Sequence, residues 1–152
     1  MKLNEFLVKA KVNTYASSGE GRERTLNDGT KELTYEEGQF KYRDRYFGFN
    51  PFIGEEVVFE NNKVVWGMNY YGFITSNKVS AKEVYEFLKK ALRKVKSDKS
   101  CRGPPKLKDR NFEYINKVDG NIEKFAGVEK IFYKKKEVYR LYYHGGSVKT
   151  KL

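Results

Sequence analysis

The sequence predicts an α+β fold, a twisted and curved antiparallel sheet of about six to eight strands carrying two main helices. Three observations predict it. Two stretches, one at the N-terminus and one near residue 80, space their apolar residues by threes and fours, as one face of a helix does. The remaining apolar runs alternate with polar residues, as half-buried strands do. The order is helix, several strands, helix, several strands, without the regular strand–helix alternation of a parallel sheet. At 152 residues the chain is read as one domain, 1–152, long enough to bury a core of its own.

Asn4 is a candidate cap for the first helix, with Glu5 in its first turn. Leu3, Phe6, Leu7 and Ala10 form the buried stripe, and the helix is expected to end near Asn13 to Ala16. The polar, glycine-containing stretch that follows, roughly 17–31, reads as a mobile loop. A short strand covers Glu32 to Glu37, and Glu37-Gly38 turns the chain. Phe40, Tyr42, Asp44 and Tyr46 then alternate with Lys41, Arg43, Arg45 and Phe47. Asp44 thus falls on an aromatic face, where an ionised carboxylate needs a partner or water. Gly48, Pro51 and Gly54 mark a connection. Glu55–Glu60 and Lys63–Phe73 form a hairpin across Asn61-Asn62, residues that tolerate positive φ. Both faces of the second strand are largely apolar or aromatic, which predicts a central strand covered on both sides.

Ser80 with Glu83 gives a capping-box signature for the second helix. Ala81, Val84, Tyr85, Leu88, Ala91, Leu92 and Val95 make its apolar stripe. Residues 97–110 read as a basic connection through Gly103-Pro104-Pro105. Strand alternation returns at Phe112, Tyr114, Asn116 and Val118, and Asp119-Gly120 reads as a turn. A second hairpin joins Glu129–Tyr133 to Val138–His144 across Lys134 to Lys136. Residues from about 147 to 152 form a tail expected to fray. No repeat of fixed period and no interdomain linker is read.

The charge is unevenly placed. Residues 1–81 hold 11 Lys+Arg and 11 Asp+Glu, whereas 82–152 hold 20 and 9, so the whole net charge of +11 lies in the second half. Such an excess can attract a polyanion, or can simply be a solvated surface. The single cysteine gives no disulfide and fits a reducing, cytoplasmic setting. No apolar run reaches the roughly 18 residues a membrane helix needs, and the charged start is not a signal peptide.

The familiar catalytic signatures are missing: no Walker loop, no dinucleotide fingerprint after a strand, no HExxH, no EF-hand. One histidine, His144, and one cysteine, Cys101, rule out a zinc ligand set. No cofactor is implied, and a non-enzymatic role is favoured. Basic neighbours of Cys101 can lower a thiol pKa, but its glycine–proline loop points to no chemistry. What remains is an aromatic and polar constellation: Tyr42, Asp44, Arg45, Tyr46, Glu55, Trp66, Asn69, Tyr70 and Tyr71. Ligand pockets are mostly apolar with a few aimed polar groups, so this set predicts a small-molecule binding or sensing domain. A first alternative is nucleic-acid binding, with exposed rings stacking on bases and Lys89, Lys90, Arg93, Lys94, Lys99, Arg102, Lys106 and Lys108 holding phosphates. A second is a hydrolase or isomerase that uses Asp44, Glu55 and His144.

The segments RDRYFGFNPFIGEEVVF (43–59), VVWGMNYYGF (64–73), FEYINKVDGNIEKFAGVEKIFY (112–133) and VYRLYYHGG (138–146) resemble a family of small prokaryotic domains of unknown function. The resemblance covers nearly the whole chain. Members occur alone or fused behind helix-turn-helix regulators of the phage-repressor type, and this chain lacks that motif. The resemblance implies a sensing role by analogy with other regulators and brings no established chemistry.

Overall fold

Alternating side chains and tight turns organise most of this chain into strands that pair with their sequence neighbours. The structure, a computed structural model, describes residues 1–14, 23–96 and 101–151. In chain order it contains α1 (Leu3–Asn13), β1 (Arg24–Thr25), β2 (Lys31–Glu37), β3 (Phe40–Gly48), β4 (Phe52–Glu60), β5 (Lys63–Ile74), α2 (Ala81–Leu92), β6 (Lys106–Asp109), β7 (Phe112–Asn121), β8 (Lys124–Tyr133) and β9 (Lys136–Ser147). All nine strands join one sheet in the order β1-β2-β3-β4-β5-β9-β8-β7-β6, and every pair is antiparallel.

This corrects the predicted α+β class of six to eight strands. The fold is β-rich, a nine-stranded sheet with helices of only 11 and 12 residues. Backbone pairing needs no apolar side chain, so segments without an alternating apolar pattern were missed. Phe52 to Gly54, read as a connection, belongs to β4, and the glycine-interrupted run before Glu129 belongs to β8. The short edge strands β1 and β6 are polar or basic, a composition that protects sheet edges.

Other expectations meet mixed outcomes. The Ser80 hydroxyl accepts the Glu83 N–H at 3.2 Å, as the capping box requires. At the first helix the N-cap position is Lys2, not Asn4, which lies inside the helix; no side chain caps it, and the Lys2 backbone N–H donates to Glu5 Oε2 at 2.9 Å. Of the expected loop, residues 17–22 lie outside the described residues, while the rest holds β1 and a turn in which Asp28 accepts the Thr30 N–H at 2.9 Å. At the tail, the Val148 N–H donates to the Val65 carbonyl at 2.9 Å, and Leu152 is outside the described residues.

β5 is central, yet it is covered on one side only. Phe6, Leu7 and Ala10 of α1 and Val84, Leu88 and Leu92 of α2 share one core with Tyr42, Trp66, Met68, Tyr114, Leu141 and Tyr143. On the other face Tyr71 and Tyr142 remain exposed. No described helix is long and apolar enough to cross a membrane.

The palindromic strand order comes from an internal duplication. Glu5-Phe6-Leu7-x-Lys9-Ala10 on α1 matches Glu86-Phe87-Leu88-x-Lys90-Ala91 on α2. Phe40-x-Tyr42-x-Asp44 on β3 matches Phe112-x-Tyr114-x-Asn116 on β7, and Phe52-x-Gly54-x-Glu56 on β4 matches Phe125-x-Gly127-x-Glu129 on β8. The matches extend to geometry. Phe6 stacks on Phe40 with centroids 5.0 Å apart, and Phe87 stacks on Phe112 at 4.9 Å. Register shifts follow Val58 in one half and Ile131 in the other. The tight turns sit at Asn61-Asn62 (φ 48° and 65°) and Lys134-Lys135 (φ 47° and 68°). At the seam Tyr70 pairs with its own counterpart Tyr143, while Met68 pairs with Gly145 and Gly72 with Leu141. The pseudo-twofold axis therefore passes between β5 and β9. A search for one fixed period misses this duplication, because the spacing between counterparts changes along the chain.

The stacked pairs give a direct check. Phe6→Ala and Phe87→Ala each remove a buried ring and are expected to destabilise the protein by about 3–5 kcal/mol in urea unfolding. A neutral result at either position would mean that its helix is not docked by that ring.

Candidate functional site

Strand alternation turns the polar residues of the covered face inward, beneath the helices, where each must find a partner. Glu56 on β4 is 1% exposed and Lys11 of α1 is 5% exposed. The Lys11 Nζ donates to Glu56 Oε1 at 2.6 Å, and the Tyr42 hydroxyl donates to the same oxygen at 2.5 Å. In the other half Glu129 is fully buried. It accepts two bonds from Arg102 at 3.1 and 2.7 Å, one from the Tyr139 hydroxyl at 2.9 Å and one from the Tyr114 hydroxyl. Arg102 lies on the connection after α2, so counterpart carboxylates draw their cations from different segments.

A second pair of polar positions lies one step along the same face. Tyr70 on β5 crosses β4 at Gly54 and donates to Asp44 Oδ1 on β3 at 2.5 Å. Any side chain at Gly54 would collide with that hydroxyl. Tyr143 on β9 crosses β8 at Gly127 in the same manner and donates to Asn116 Oδ1 on β7 at 2.6 Å. Asn116 is also satisfied on its amide side, donating to the Gly103 carbonyl at 3.0 Å. The duplicated position thus holds a neutral amide in one half and an ionisable acid in the other.

The two halves differ in packing as well. Trp66 stacks on Phe125 at 5.8 Å, and its Nε1–H donates to the Ile122 carbonyl at 2.9 Å. The counterpart of Trp66 is Tyr139 on β9, whose hydroxyl is turned to Glu129 of its own half. Phe52 meets Tyr85 of α2 instead, and Tyr85 donates to the Phe49 carbonyl at 2.6 Å. A cavity of about 280 Å³ remains there. Asp44, Tyr70 and Arg102 form its floor, Tyr46, Phe49, Phe52 and Tyr85 its walls, and Lys82, Glu86 and Lys89 its mouth.

The cavity shapes the chemistry of Asp44. Burial, then the nearby charge of Glu56, pushes the Asp44 carboxyl up to about 7, while the Tyr70 hydrogen bond, Lys11 and Arg102 pull the other way. Burial, then the charge of Asp44, raises the Tyr70 phenol well above its ordinary value, which keeps it a donor. Asp44 therefore changes protonation near neutral pH, the range in which a carboxyl can exchange a proton with a bound molecule.

The sequence-predicted constellation is divided by the sheet. Tyr42 and Trp66 are core, 1% and 0% exposed. Asp44, Tyr46 and Tyr70 line the cavity. Arg45, Glu55, Asn69 and Tyr71 stand on the opposite face, where Arg45 pairs with Glu32 at 2.6 Å. Glu55, Asn69 and His144 border a shallow trough there. Asp44 is separated from Glu55 and His144 by the sheet itself, so those three make no common acid–base site.

The basic set is dispersed too. Lys89 is at the cavity mouth and Arg102 in its floor, Lys90 pairs with Asp109, Lys106 lies 3.7 Å from Glu113, and Lys99 is outside the described residues. Arg93 and Lys94 follow at the end of α2, and Lys108 lies on β6. Burial pushes the Cys101 thiol up to about 11, outweighing Lys11, which removes the activated-thiol reading. Among the described residues no three His, Cys, Asp or Glu side chains gather as a metal site would need. The residues missed from sequence are Lys11, Phe49, Phe52, Lys82, Tyr85, Glu86 and Glu129, while Glu56, readable only as part of an acidic run with Glu55, is an interior partner of Lys11 and Tyr42. The duplicated Phe-x-Gly-x-Glu signature was a signal for Glu56 and Glu129.

Asp44 binds its proton more tightly in the folded state than in the unfolded one, where its value is 3.8 against about 7. Its ionisation therefore opposes folding: the cost is absent below about pH 4, grows as pH rises and is complete above about pH 7. Asp44→Asn is expected to be more stable than the parent by about 2–4 kcal/mol at pH 8 and to converge with it toward pH 4. Urea unfolding across that range checks this, and a difference that does not change with pH would contradict it.

A family model described as a domain of unknown function, DUF5680, matches residues 44–148. Comparison with curated proteins and with solved structures gives no match. The match begins at the cavity carboxylate and ends just past β9, taking in Glu56, Tyr70, Arg102, Glu129 and Tyr143, so the chain belongs to the DUF5680 family of domains of unknown function.

Proposed function

We propose that this chain is a small-molecule binding or sensing domain whose ligand occupies the cavity between α2 and β3–β5. The observation that carries the reading is the asymmetry between duplicated halves. Where the fold needs only a hydrogen-bonding partner for the crossing tyrosine, it uses Asn116, which is bonded at both its oxygen and its nitrogen. Where a cavity opens, the same position is Asp44, at a cost in stability that an amide would avoid. Aromatic walls around a few aimed polar groups match the general character of ligand sites. α2 supplies one wall, so occupancy bears directly on the position of a helix, as a sensor requires. The resemblance to domains fused behind helix-turn-helix regulators supports the sensing role, and the lone buried thiol suits a reducing cytoplasm.

Nucleic-acid binding has less support, because its described cations are divided among the cavity, ion pairs, the end of α2 and the edge strand β6. An acid-site hydrolase has less still, since Asp44 shares its face with neither Glu55 nor His144.

A fragment screen monitored by amide chemical shifts tests the reading. Shifts are expected to cluster at Gly48, Phe49, Lys82 and Tyr85. Lys82→Trp, at an exposed position of the mouth, is expected to abolish them while leaving the melting temperature within about 2 °C. Shifts confined to the open face of the sheet would overturn the proposal.

A further inference from the structure

The cavity floor holds two charged groups that the protein itself leaves half used. Asp44 gives Oδ1 to the Tyr70 hydroxyl, and Arg102 gives Nε and Nη2 to Glu129. Neither Asp44 Oδ2 nor Arg102 Nη1 takes part in those bonds, although the residues are only 4% and 6% exposed. No described buried side-chain polar atom lacks a partner, so neither atom is sealed in the interior, and both residues line the cavity. Both belong to one floor: the Arg102 guanidinium sits 5.8 Å from the centroid of the Tyr70 ring, whose hydroxyl is bonded to Asp44.

An acceptor and a donor on one cavity floor complement a group that offers both an N–H and a C=O on one edge. The N–H meets Asp44 Oδ2, and the C=O meets Arg102 Nη1. The walls above are rings, from Tyr46, Phe49, Phe52 and Tyr85, which favour a planar ligand by stacking and edge contact. A plain hydrocarbon ring would exclude water and leave both floor atoms without partners. At the mouth Lys82 and Lys89 flank Glu86 along α2, an excess of one positive charge that favours an anionic substituent pointing outward.

We infer that the cavity takes a planar heterocycle with a lactam edge, read by Asp44 and Arg102, and that an anionic substituent on it lies at the Lys82–Lys89 mouth. This rests on the cavity being a ligand site and names the ligand's chemistry. The volume of about 280 Å³ is at the small end for such sites and suits one ring system with a short substituent.

Three probes separate the two claims: uridine 5′-monophosphate, its N3-methyl analogue and phenyl phosphate. All three carry a ring and a phosphate, and only the first keeps the lactam N–H. Titration calorimetry with amide-shift mapping is expected to place the first in the cavity. It is expected to bind about tenfold or more tightly than the other two, with Asp44→Ala reducing it to their level. Lys82→Glu is expected to weaken all three alike, since it acts on the phosphate. Cavity binding of phenyl phosphate or the N3-methyl analogue with equal affinity overturns the lactam assignment and leaves the ligand site standing. Absence of cavity binding by every probe, with unfolding curves confirming a folded protein, overturns the inference, and a fragment screen that also finds nothing there overturns the site itself.

Discussion

Two carboxylates with no access to water govern the covered face of this sheet. An unpaired buried carboxylate costs several kcal/mol, so each must meet a cation and further donors at good geometry. Glu56 meets Lys11 and Tyr42, and Glu129 meets Arg102, Tyr114 and Tyr139. These demands set the position of elements that sequence leaves loose. Lys11 fixes how α1 lies over β4. Arg102 draws the connection after α2 back across β8, where the Gly103 N–H also donates to the Tyr114 hydroxyl at 3.1 Å.

Around that framework the two halves of the duplication have diverged in a few residues with large consequences. Both keep the helix phenylalanine, the crossing tyrosine and the glycine beneath it. Trp66 in one place and Tyr139 in the other decide which half is packed and which has space. Asp44 and Asn116 decide which half can change its charge. A scaffold that supports itself twice can leave one copy open, because the other still joins the seam at β5 and β9.

The opposite face follows a different logic. It carries Tyr71, Phe73 and Tyr142, whose rings contact one another at 5.8 and 6.2 Å. Part of its charge is internally balanced, as in Arg45 with Glu32 and Arg140 with Glu137 at 2.8 Å. Lys90 and Lys106, which add to the basic excess of the second half, face Asp109 and Glu113. A net charge counted along the chain therefore says little about the field over any one surface.

Sequence alone determined the local structure: the strand alternation from Phe40 to Phe47, the hairpin at Asn61-Asn62, the Ser80 cap, and the placing of Asp44 on an aromatic face. These were legible because periodicity and turn chemistry act within a few residues. It did not show the full strand count, since backbone pairing admits charged and glycine-rich segments, nor the duplication, since loop lengths blur its period. Of the candidate site it gave Asp44, Tyr46 and Tyr70, and mixed them with Arg45, Glu55, Asn69 and Tyr71 from the other face. Only the tertiary structure decided which face the helices cover, that Arg102 is an interior partner of Glu129, and that Phe49, Phe52 and Tyr85 close around Asp44. Those outcomes depend on contacts between residues far apart in the chain, where burial and the pairing of charge act on the whole molecule at once.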